Sequence, residues 1–404
     1  MINLEVPRKL KPLIGQAHQV AAEVLRPISR KYDRAEHEYP KELDMLAAAI
    51  DGMGEALGGT GAAGVGGGPS GDGAAPESDG NRNGSNMSTV LSIMEMCWGD
   101  VGLLLSLPRQ GLGNSAIASV ASDEQRERFA GRWAAMAITE PAAGSDSAAI
   151  RTTAVLDGDE YVLNGEKIFV TSGERADLVV VWATLDPSKG REAIKSFVVE
   201  RSNPGLKLDR VEHKLGIRAS DTANFVLEDC RVPKENLLGS PEISKGFAGA
   251  MKTFDNTRPL VAAMALGLSR ACLEETERQL ASAGVEVDYD RPAFSQPAAA
   301  AELLRLEADY EAARLLTLEA AWMADNRKPN SLQASMAKAK AGRGCVDIGL
   351  RCVELCGSVG YGEGELLEKW ARDAKILDIF EGTQQIQLLI VARLLLNKTS
   401  ADLR

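Results

Sequence analysis

The fold is decided by one stretch near the end of the 404-residue chain, Trp370-Ala-Arg-Asp-Ala-Lys-Ile-Leu-Asp-Ile-Phe-Glu-Gly-Thr-Gln-Gln-Ile-Gln-Leu-Leu-Ile-Val-Ala-Arg393. Apolar residues recur at helical spacing on both sides of Glu381, which predicts two helices. Between them, Gly382 breaks the first helix and Thr383 is suited to cap the second. The pattern therefore places one carboxylate, that of Glu381, at the joint between two helices.

Two opposing effects act on the pKa of Glu381 at this joint. Contact with Phe380 and its apolar neighbours removes the carboxylate from water and raises the pKa, whereas the positive end of the following helix lowers it. Such a carboxylate is suited to act as a base near neutral pH. The alternative is that Glu381 is a solvated partner of the helix dipole, as most glutamates at helix N-termini are.

The rest of the chain divides by the period of its apolar residues. Residues 1–134 read as helices, interrupted at about 52–88 by a Gly-rich loop with almost nothing to bury. Between 135 and 240 the period switches to two, which predicts short strands. Asp157-Gly158 and Asn164-Gly165 have the composition of tight hairpin turns.

Residues 241–404 again show a helical pattern, with long stretches at 245–281, 296–326, 331–357 and 366–397. Helices, then strands, then helices, with the strands segregated, predict an α+β fold. We expect an N-terminal helical domain, a middle antiparallel β-domain and a C-terminal four-helix bundle.

Composition excludes several classes of protein. The net charge of −11, with no basic stripe to offset it, argues against nucleic-acid binding. The sequence has no apolar run of about 18 residues that would predict a membrane span. The N-terminal residues 1–7 lack signal-peptide and transit patterns, so we expect a cytoplasmic protein.

Cysteine and histidine usage predicts neither a disulfide nor a metal site. The six cysteines show no Cys-x-x-Cys spacing and are expected to be reduced, mostly buried thiols. His18, His37 and His213 are scattered along the sequence, and none pairs with a nucleophile motif. Zinc chemistry and Ser-His-Asp chemistry are therefore not expected.

A second candidate region is the segment Met136-Ala-Ile-Thr-Glu-Pro-Ala-Ala-Gly-Ser-Asp146, at the entrance of the β-domain. Pro141 and Gly144 predict an irregular turn, which leaves backbone N–H groups unpaired beside the hydroxyls of Thr139 and Ser145. Such donors suit the pyrimidine edge of a flavin or a phosphate. The alternative is an ordinary turn at the entrance to a strand.

Both regions resemble signatures of the acyl-CoA dehydrogenase family. The strings Asp373-Ala-Lys-Ile376, Phe380-Glu-Gly-Thr-Gln-Gln-Ile-Gln387 and Ile390-Val-Ala-Arg393 are similar to the family's C-terminal signature, in which the Glu before Gly-Thr is the catalytic base. Thr139-Glu-Pro-Ala-Ala-Gly-Ser-Asp146 looks like its flavin-contacting signature. The family has the same order of helices, strands and helices, so the resemblance covers nearly the whole chain.

The resemblance implies roles for individual residues. Glu381 is the base, and Thr257 occupies the position where some branches of the family place theirs. Contacts with FAD are implied at Met136, Ile138, Thr139, Ser145, Phe169, Thr171, Glu354, Gly357, Ser358, Thr383 and Gln385. Contacts with the acyl-CoA substrate are implied at Ser145, Asp255, Arg258 and Gly382.

The sequence departs from the family pattern around the flavin. Phe169 stands where a Trp is common, which keeps an apolar face but loses the indole N–H. Glu354 and Ser358 stand in the segment that is usually Gln-x-x-Gly-Gly and that covers the ADP part of FAD from a neighbouring subunit.

A further departure concerns the motif Arg-x-x-Phe-Gly, whose Arg pairs with the FAD pyrophosphate in the family. By position, Glu286 and Tyr289 stand in its place, with Arg291 and Phe294 as partial substitutes. Loss of a cation beside a diphosphate is expected to weaken FAD binding by a few kcal/mol if no other cation replaces it.

The resemblance implies α,β-dehydrogenation of an acyl-CoA thioester. Glu381 would remove the α-proton while the β-hydrogen leaves as hydride to the flavin. Its own backbone N–H and a flavin ribityl hydroxyl would bind the thioester carbonyl. An electron-transferring flavoprotein would then accept the electrons, and a homotetramer or dimer is expected.

Two other functions fit the same residues. An acyl-CoA oxidase would run the same half-reaction with oxygen as the acceptor. The altered pyrophosphate motif also fits one subunit of a hetero-oligomer, in which a partner chain shares the FAD, or a structural subunit. An intact Glu381 argues against a purely structural role.

Overall fold

The computed structural model describes residues 6–48, 83–109, 111–243, 248–399 and 402, with the backbone alone for residues 248–256. The N-terminal helices are α1 (Lys11–Val20), α2 (Arg26–Arg34), α3 (42–48), α4 (Ser85–Gly99), α5 (Val101–Leu105), α6 (Leu112–Val120) and α7 (Asp123–Arg128). A π-helical turn, Ala21–Leu25, joins α1 to α2. Most of the Gly-rich loop predicted at 52–88 lies outside the described residues.

The middle of the chain forms a seven-stranded sheet. Its strands are β1 (Ala134–Ala137), β2 (Thr153–Asp157), β3 (Glu160–Thr171), β4 (Leu178–Thr184), β5 (Ile194–Glu200), β6 (Leu206–Val211) and β7 (Thr222–Pro233). The order is β1-β4-β2-β3-β7-β6, and β5 also pairs with β4. Most pairs are antiparallel as expected, but β4 runs parallel to β1 and to β2, so the sheet is mixed.

The two predicted hairpin turns have different outcomes. The turn between β2 and β3 is present, but its two loop residues are Gly158, with φ of 63°, and Asp159, because Asp157 pairs with Glu160. The prediction at Asn164-Gly165 was wrong, because these residues form a bulge inside the continuous strand β3. A Cβ at Gly165 would lie 2.4 Å from the hydroxyl of Thr152, so the glycine permits close backbone approach instead of a turn.

The C-terminal part is helical, as predicted. It contains α8 (Ala248–Ser282), α9 (Ala298–Asp325), α10 (Ser331–Leu355), α11 (Gly357–Tyr361), α12 (Leu367–Leu377) and α13 (Gln384–Leu395). The predicted break at Glu381 is confirmed, because α12 ends before it and α13 begins after it. The break separates the single stretch predicted at 366–397 into two helices.

Buried apolar residues form one large helical core and a separate core under the sheet. The helical core joins residues of the N-terminal and C-terminal helices, such as Met94 on α4 and Leu266 on α8. The sheet core is centred on residues such as Phe197 and Phe225. The helices at the two ends of the chain therefore fold as one packed body, and the domain limits at 134 and 240 stay a prediction.

Buried charges connect this helical core to the sheet. Lys369 of α12 pairs with Asp100, at the start of α5, and with Asp373, 2.7 Å away. Asp373 also accepts a 2.5 Å hydrogen bond from the backbone N–H of Ile217, in the loop between β6 and β7. This network fixes the beginning of α12, the helix that leads to Glu381.

Among the described residues, none of the helices is long and apolar enough to cross a membrane.

Candidate functional site

The joint between α12 and α13 has an unusual backbone. Glu381 has φ of 56° and Gly382 has φ of 92°, both in the left-handed region. That region is costly for a glutamate, so the surrounding contacts must hold it there. Thr383 caps α13 as predicted, because its hydroxyl accepts from the N–H of Ile386 at 3.4 Å.

Three side chains from different helices hold this joint. The hydroxyl of Thr257 on α8 donates to the Glu381 carboxylate at 2.8 Å. The ammonium of Lys338 on α10 donates to the carbonyl oxygen of Gly382 at 2.7 Å. Gln387 on α13 donates to the carbonyl oxygens of Glu381 and Gly382 at 3.1 and 3.2 Å. The orientation of Glu381 is therefore fixed from both its side chain and its backbone.

The pKa of Glu381 is raised above its ordinary value. Burial of the carboxyl group is the largest cause, and it is opposed by the Thr257 hydrogen bond and by the positive charges of Lys338 and Arg258. The sequence predicted competition between burial and the dipole of α13. In the structure burial prevails, and the opposing effect comes from side chains that the local sequence did not indicate.

The backbone N–H of Glu381 is a free donor as far as the described residues are concerned. No described residue accepts a hydrogen bond from it. A carboxylate with a raised pKa thus lies beside an unpaired N–H on the same residue. This combination can remove a proton from a carbon while the N–H stabilises negative charge on an adjacent carbonyl oxygen.

The residues predicted to bind substrate lie partly at this joint. Gly382 is part of it, and a Cβ at that position would lie 2.5 Å from the amide nitrogen of Gln387. Arg258 is buried, only 6% exposed, and acts electrostatically on Glu381. Asp255 lies on α8, but its side chain is outside the described part of the chain.

The segment 136–146 is braced by a buried ion pair. Lys167 on β3 is fully buried and donates to Glu140 at 2.7 Å and to the carbonyl oxygen of Ile138 at 3.1 Å. Glu140 also accepts from the hydroxyl of Thr152 at 2.6 Å. Burial lowers the pKa of Lys167 to about 8, while the charge of Glu140 raises it. The predicted turn is therefore held by side chains beneath it.

Phe169 and Thr171 lie beside this turn. The N–H of Ile168 donates to the carbonyl oxygen of Thr139 at 2.9 Å, which places the turn against the end of β3. Phe169 has φ of 57° and an N–H that donates to the side chain of Asn224 at 3.0 Å. Its side chain is 59% exposed, so the ring presents an open face next to the turn.

Polar groups at the same place are available to a ligand. The hydroxyls of Thr139, Ser145 and Thr171 have no hydrogen-bond partner among the described residues. Met136 is half-buried, whereas Ile138 packs into a small apolar cluster with Trp182. Unpaired hydroxyls, an exposed aromatic ring and a rigid turn fit the edge of a flavin.

The remaining residues predicted to contact FAD are on the surface. Glu354, at the end of α10, is exposed and pairs with Arg351 at 2.5 Å. Gly357 and Ser358 are exposed at the start of α11, and Gln385 is exposed on α13. These four residues are open to a large ligand or another chain.

The loop before α9 changes the expectation about the pyrophosphate cation. The Tyr289 hydroxyl lies among carboxylates, 2.9 Å from Glu307, which is unsuitable for a phosphate. Arg291 is exposed, and its guanidinium donates only to the carbonyl oxygen of Ser295 among the described residues. Phe294 is 91% exposed. Arg291 and Phe294 therefore supply an exposed cation and an exposed ring with Arg-x-x-Phe spacing.

Two of the scattered histidines meet in space. The rings of His37 and His213 lie 4.6 Å apart, and Glu36 lies 3.0 Å from His213. Among the described residues, Glu36, His37 and His213 are the group whose side chains bring three potential metal-ligand atoms close together. His37 is already bonded to the carbonyl oxygen of Glu212, so these groups have protein partners.

Sequence reasoning missed three features of the joint: the hydrogen bond from Thr257 to the base, Lys338 and Gln387. Thr257 was considered only as the position of an alternative base. Lys338 lies between Ala337 and Ala339, on a helix whose inner face is mostly apolar. A lysine at a buried position of this kind is unusual, and it is the sequence feature that could have indicated a role for Lys338.

Family models of known proteins match two parts of the chain. Residues 244–396 match the acyl-CoA dehydrogenase C-terminal domain, and residues 135–230 match the acyl-CoA dehydrogenase middle domain. The solved structure of butyryl-CoA dehydrogenase from Megasphaera elsdenii superposes with a TM-score of 0.83 at 30% identity, covering 98% of this chain and 100% of the other.

Curated relatives agree with these matches. The short-chain specific acyl-CoA dehydrogenase of rat mitochondria is 41% identical over 261 residues, which is 63% of this chain and 61% of the rat protein. The alignment thus spans less than two thirds of that relative. The caffeyl-CoA reductase-Etf complex subunit CarC of Acetobacterium woodii is 35% identical over 78% of this chain and 84% of its own length.

Proposed function

Because the chain belongs to the acyl-CoA dehydrogenase family, we propose that it is an FAD-dependent enzyme that dehydrogenates an acyl-CoA thioester at its α and β carbons, with Glu381 as the base. One observation carries the proposal. Glu381, with a raised pKa, lies at a rigid helix joint beside its own unpaired N–H. The members of this family are FAD-dependent flavoproteins.

The residues of the joint perform the proton-transfer part of the reaction. The thioester carbonyl accepts a hydrogen bond from the N–H of Glu381, which stabilises the negative charge that develops on its oxygen. The carboxylate of Glu381 takes the α-proton. Thr257 orients that carboxylate through its 2.8 Å hydrogen bond. Bound FAD supplies the acceptor for the β-hydrogen as hydride.

The FAD contacts are assigned to the two regions described above. The ring would lie against the turn at 136–146, with Phe169 beside it and the hydroxyls of Thr139 and Thr171 as donors or acceptors. The remaining contacts come from Met136, Ile138, Ser145, Glu354, Gly357, Ser358, Thr383 and Gln385. Arg291 is exposed and offers a cation for the pyrophosphate, which removes the expected loss of affinity.

The substrate is an acyl-CoA thioester, which carries a polyanionic CoA group. Because the chain has a net charge of −11, its binding requires locally placed cations and donors. We assign Ser145, Asp255, Arg258 and Gly382 to this part of the site. Ser145 is exposed at the turn, where it can reach both the cofactor and the CoA moiety.

The electron acceptor is proposed to be an electron-transferring flavoprotein. The support is the relative from Acetobacterium woodii, which is named as a subunit of a complex with such a protein. Production of hydrogen peroxide on addition of acyl-CoA in air, at the rate of substrate turnover, would instead identify an oxidase.

The assembly is proposed to be a homotetramer or dimer. The C-terminal end exposes an apolar row that an isolated chain would leave in water. Its members are Leu388, Leu389, Leu394, Leu395 and Leu396. A purified homo-oligomer that is colourless and cannot be reconstituted with FAD would favour a hetero-oligomer that shares FAD with a partner chain.

A cytoplasmic location is proposed on the state of the thiols. All six cysteines are free, and five of them are buried. Free thiols in this number are typical of a reducing compartment.

The deciding experiment is the Glu381→Gln variant, mixed with butyryl-CoA in the absence of an acceptor. The wild-type flavin should lose its visible absorbance, and the variant should be reduced at least about a thousandfold more slowly, because an essential base is absent. Glu363→Gln, which changes an exposed glutamate paired with Arg34, is the matched control and should behave as wild type. Normal reduction of the Glu381→Gln flavin would show that another group is the base.

A further inference from the structure

Lys338 is a buried cation that donates to a backbone carbonyl oxygen. Its side chain is 0% exposed. Lys167 and Lys369 are, with Lys338, the lysines among the largest fully buried side chains, and each of these two forms an ion pair with a carboxylate. Within the described chain Lys338 forms none, and its ammonium donates to the carbonyl oxygen of Gly382 instead.

Such an arrangement is costly for folding. Burial of a charged amine is unfavourable unless an opposite charge or several hydrogen bonds compensate it. Burial lowers the pKa of Lys338 to about 8, with a further lowering by Arg258, while Asp378 and Glu381 raise it. A methionine would fill the same space without this cost, so packing alone does not explain a lysine here.

The contact of Lys338 lies one residue from the base. Glu381 and Gly382 both have left-handed backbones, which for Glu381 is intrinsically unfavourable. Lys338 holds the carbonyl of Gly382 from α10, and Gln387 holds the carbonyls of both residues from α13. The two peptide units that follow Glu381 are therefore fixed, and no described residue accepts a hydrogen bond from the N–H of Glu381.

The charge of Lys338 acts on the same residue. Lys338 and Arg258 both lower the pKa of Glu381 against the effect of burial. Asp378, the other acidic group that faces Lys338, is paired with Arg343 at 3.2 Å and with Lys375 at 3.2 Å. Other cations therefore already pair with Asp378, and Lys338 acts electrostatically on both Asp378 and Glu381.

We propose that Lys338 is a positioning residue for the dehydrogenation, which holds the Glu381–Gly382 backbone through the Gly382 carbonyl and acts on the Glu381 carboxylate with its positive charge. This inference rests on the proposed function of Glu381. It assigns two effects to one side chain: a mechanical effect on the joint and an electrostatic effect on the carboxylate.

Two variants separate these effects. Lys338→Met removes both the donor and the charge while keeping the unbranched stem. Gln387→Leu removes a donor to the same carbonyl without changing the charge. The matched control is Lys340→Met, on the same helix, because Lys340 pairs with Asp309 and does not contact the joint. Each is purified as the FAD-containing enzyme.

The first measurement is the rate of flavin reduction by butyryl-CoA as a function of pH. Lys338→Met should lower the limiting rate about tenfold to a hundredfold, as expected for a misplaced base. It should also move the acid limb of the profile to higher pH, because the pKa of Glu381 rises when the cation is removed. Gln387→Leu should lower the rate without moving the limb, and Lys340→Met should change neither.

The second measurement is amide hydrogen exchange across residues 378–387, which does not depend on activity. Lys338→Met should speed exchange in this segment about tenfold, whereas Lys340→Met should not. Unchanged exchange overturns the inference whether or not the enzyme is active. Faster exchange with an unmoved acid limb also overturns it, because Lys338 would then be a structural brace alone.

A wild-type flavin that no acyl-CoA reduces would overturn the proposed function. In that case the exchange measurement still decides whether Lys338 holds the joint.

Discussion

The hydroxyl of Thr257 donates a 2.8 Å hydrogen bond to the carboxylate of Glu381, which lies 124 residues later in the chain. This bond ties the first long C-terminal helix to the joint before the last one. Since Thr257 is 4% exposed, water cannot readily replace its hydroxyl. The orientation of the base is therefore set by tertiary contact, although the base itself belongs to a local motif.

Thr257→Val should shift the pH profile of flavin reduction. The substitution keeps the shape and removes the hydrogen bond that lowers the pKa of Glu381, so the acid limb should move to higher pH and the rate below it should fall about fivefold to tenfold. Stopped-flow reduction across the pH range measures this. Thr276→Val is the control, because the Thr276 hydroxyl bonds the backbone of the same helix away from the joint. If the acid limb of the profile does not move, Thr257 does not lower the pKa of the base.

Glu381→Gln should stabilise the fold near neutral pH by about 1 kcal/mol. The pKa of Glu381 is raised in the folded state, so the folded protein holds that proton more tightly than the unfolded chain. Wild-type stability therefore falls as the pH rises through the folded pKa, and the neutral glutamine avoids this loss. Urea unfolding at several pH values tests it. The gain in stability should vanish below the pKa that Glu381 has in the unfolded chain. A variant that is less stable than the wild type at neutral pH would contradict the prediction.

Lys338 should make the free energy of unfolding depend on pH in the alkaline range. Its pKa of about 8 in the folded protein is below the ordinary lysine value of 10.5, so between these values the unfolded chain binds more protons and stability rises with pH. The rise should be at most about 3 kcal/mol, since one pKa unit corresponds to about 1.4 kcal/mol. Urea unfolding of the wild type and of Lys338→Met at several pH values measures this rise. The difference between their free energies of unfolding contains only the contribution of Lys338, because the other titrating groups are the same in both proteins. A flat difference would show that Lys338 is not a buried titrating amine.

Lys167→Met should weaken both the fold and FAD retention. The substitution leaves the buried carboxylate of Glu140 without its cation, which costs about 3 to 5 kcal/mol. It also frees the carbonyl oxygen of Ile138, so the turn at 136–146 should loosen. We expect about tenfold weaker FAD binding, measured by the flavin content after dialysis. Lys207→Met, which breaks the exposed pair with Glu228, should leave the flavin content unchanged.

Lys369→Met should destabilise the protein by about 3 to 5 kcal/mol, because two buried carboxylates would lose their shared cation. Urea unfolding measures the loss. Lys234→Met, which removes an exposed pair with Asp159, should cost at most about 1 kcal/mol. Equal effects of the two substitutions would mean that the buried network contributes little to stability.

The parts that sequence predicted correctly depend on neighbours in the chain. Gly382 and Thr383 end one helix and cap the next through their own backbone and side chains. The turn at Gly158 likewise needs only a glycine with positive φ. Local signals of this kind do not require knowledge of the rest of the fold.

The wrong prediction at Asn164-Gly165 has a physical origin in the tertiary structure. Asn164-Gly165 has the composition of a turn, yet Gly165 allows the close approach of Thr152, the residue before β2. The residue that pairs with the pyrophosphate stays a prediction, although Tyr289 lies beside Glu307 and Arg291 is exposed. A pattern along one strand or loop does not reveal what approaches it from elsewhere.

The sequence by itself determined the helical and strand regions, the resemblance to acyl-CoA dehydrogenases and the location of Glu381 at a helix break, because these follow from periodicity and from residues adjacent in the chain. Only the tertiary structure decided that Thr257, Lys338 and Gln387 hold that glutamate and that burial raises its pKa. Desolvation and hydrogen bonding depend on which side chains meet in three dimensions, and those contacts come from helices far apart in the sequence.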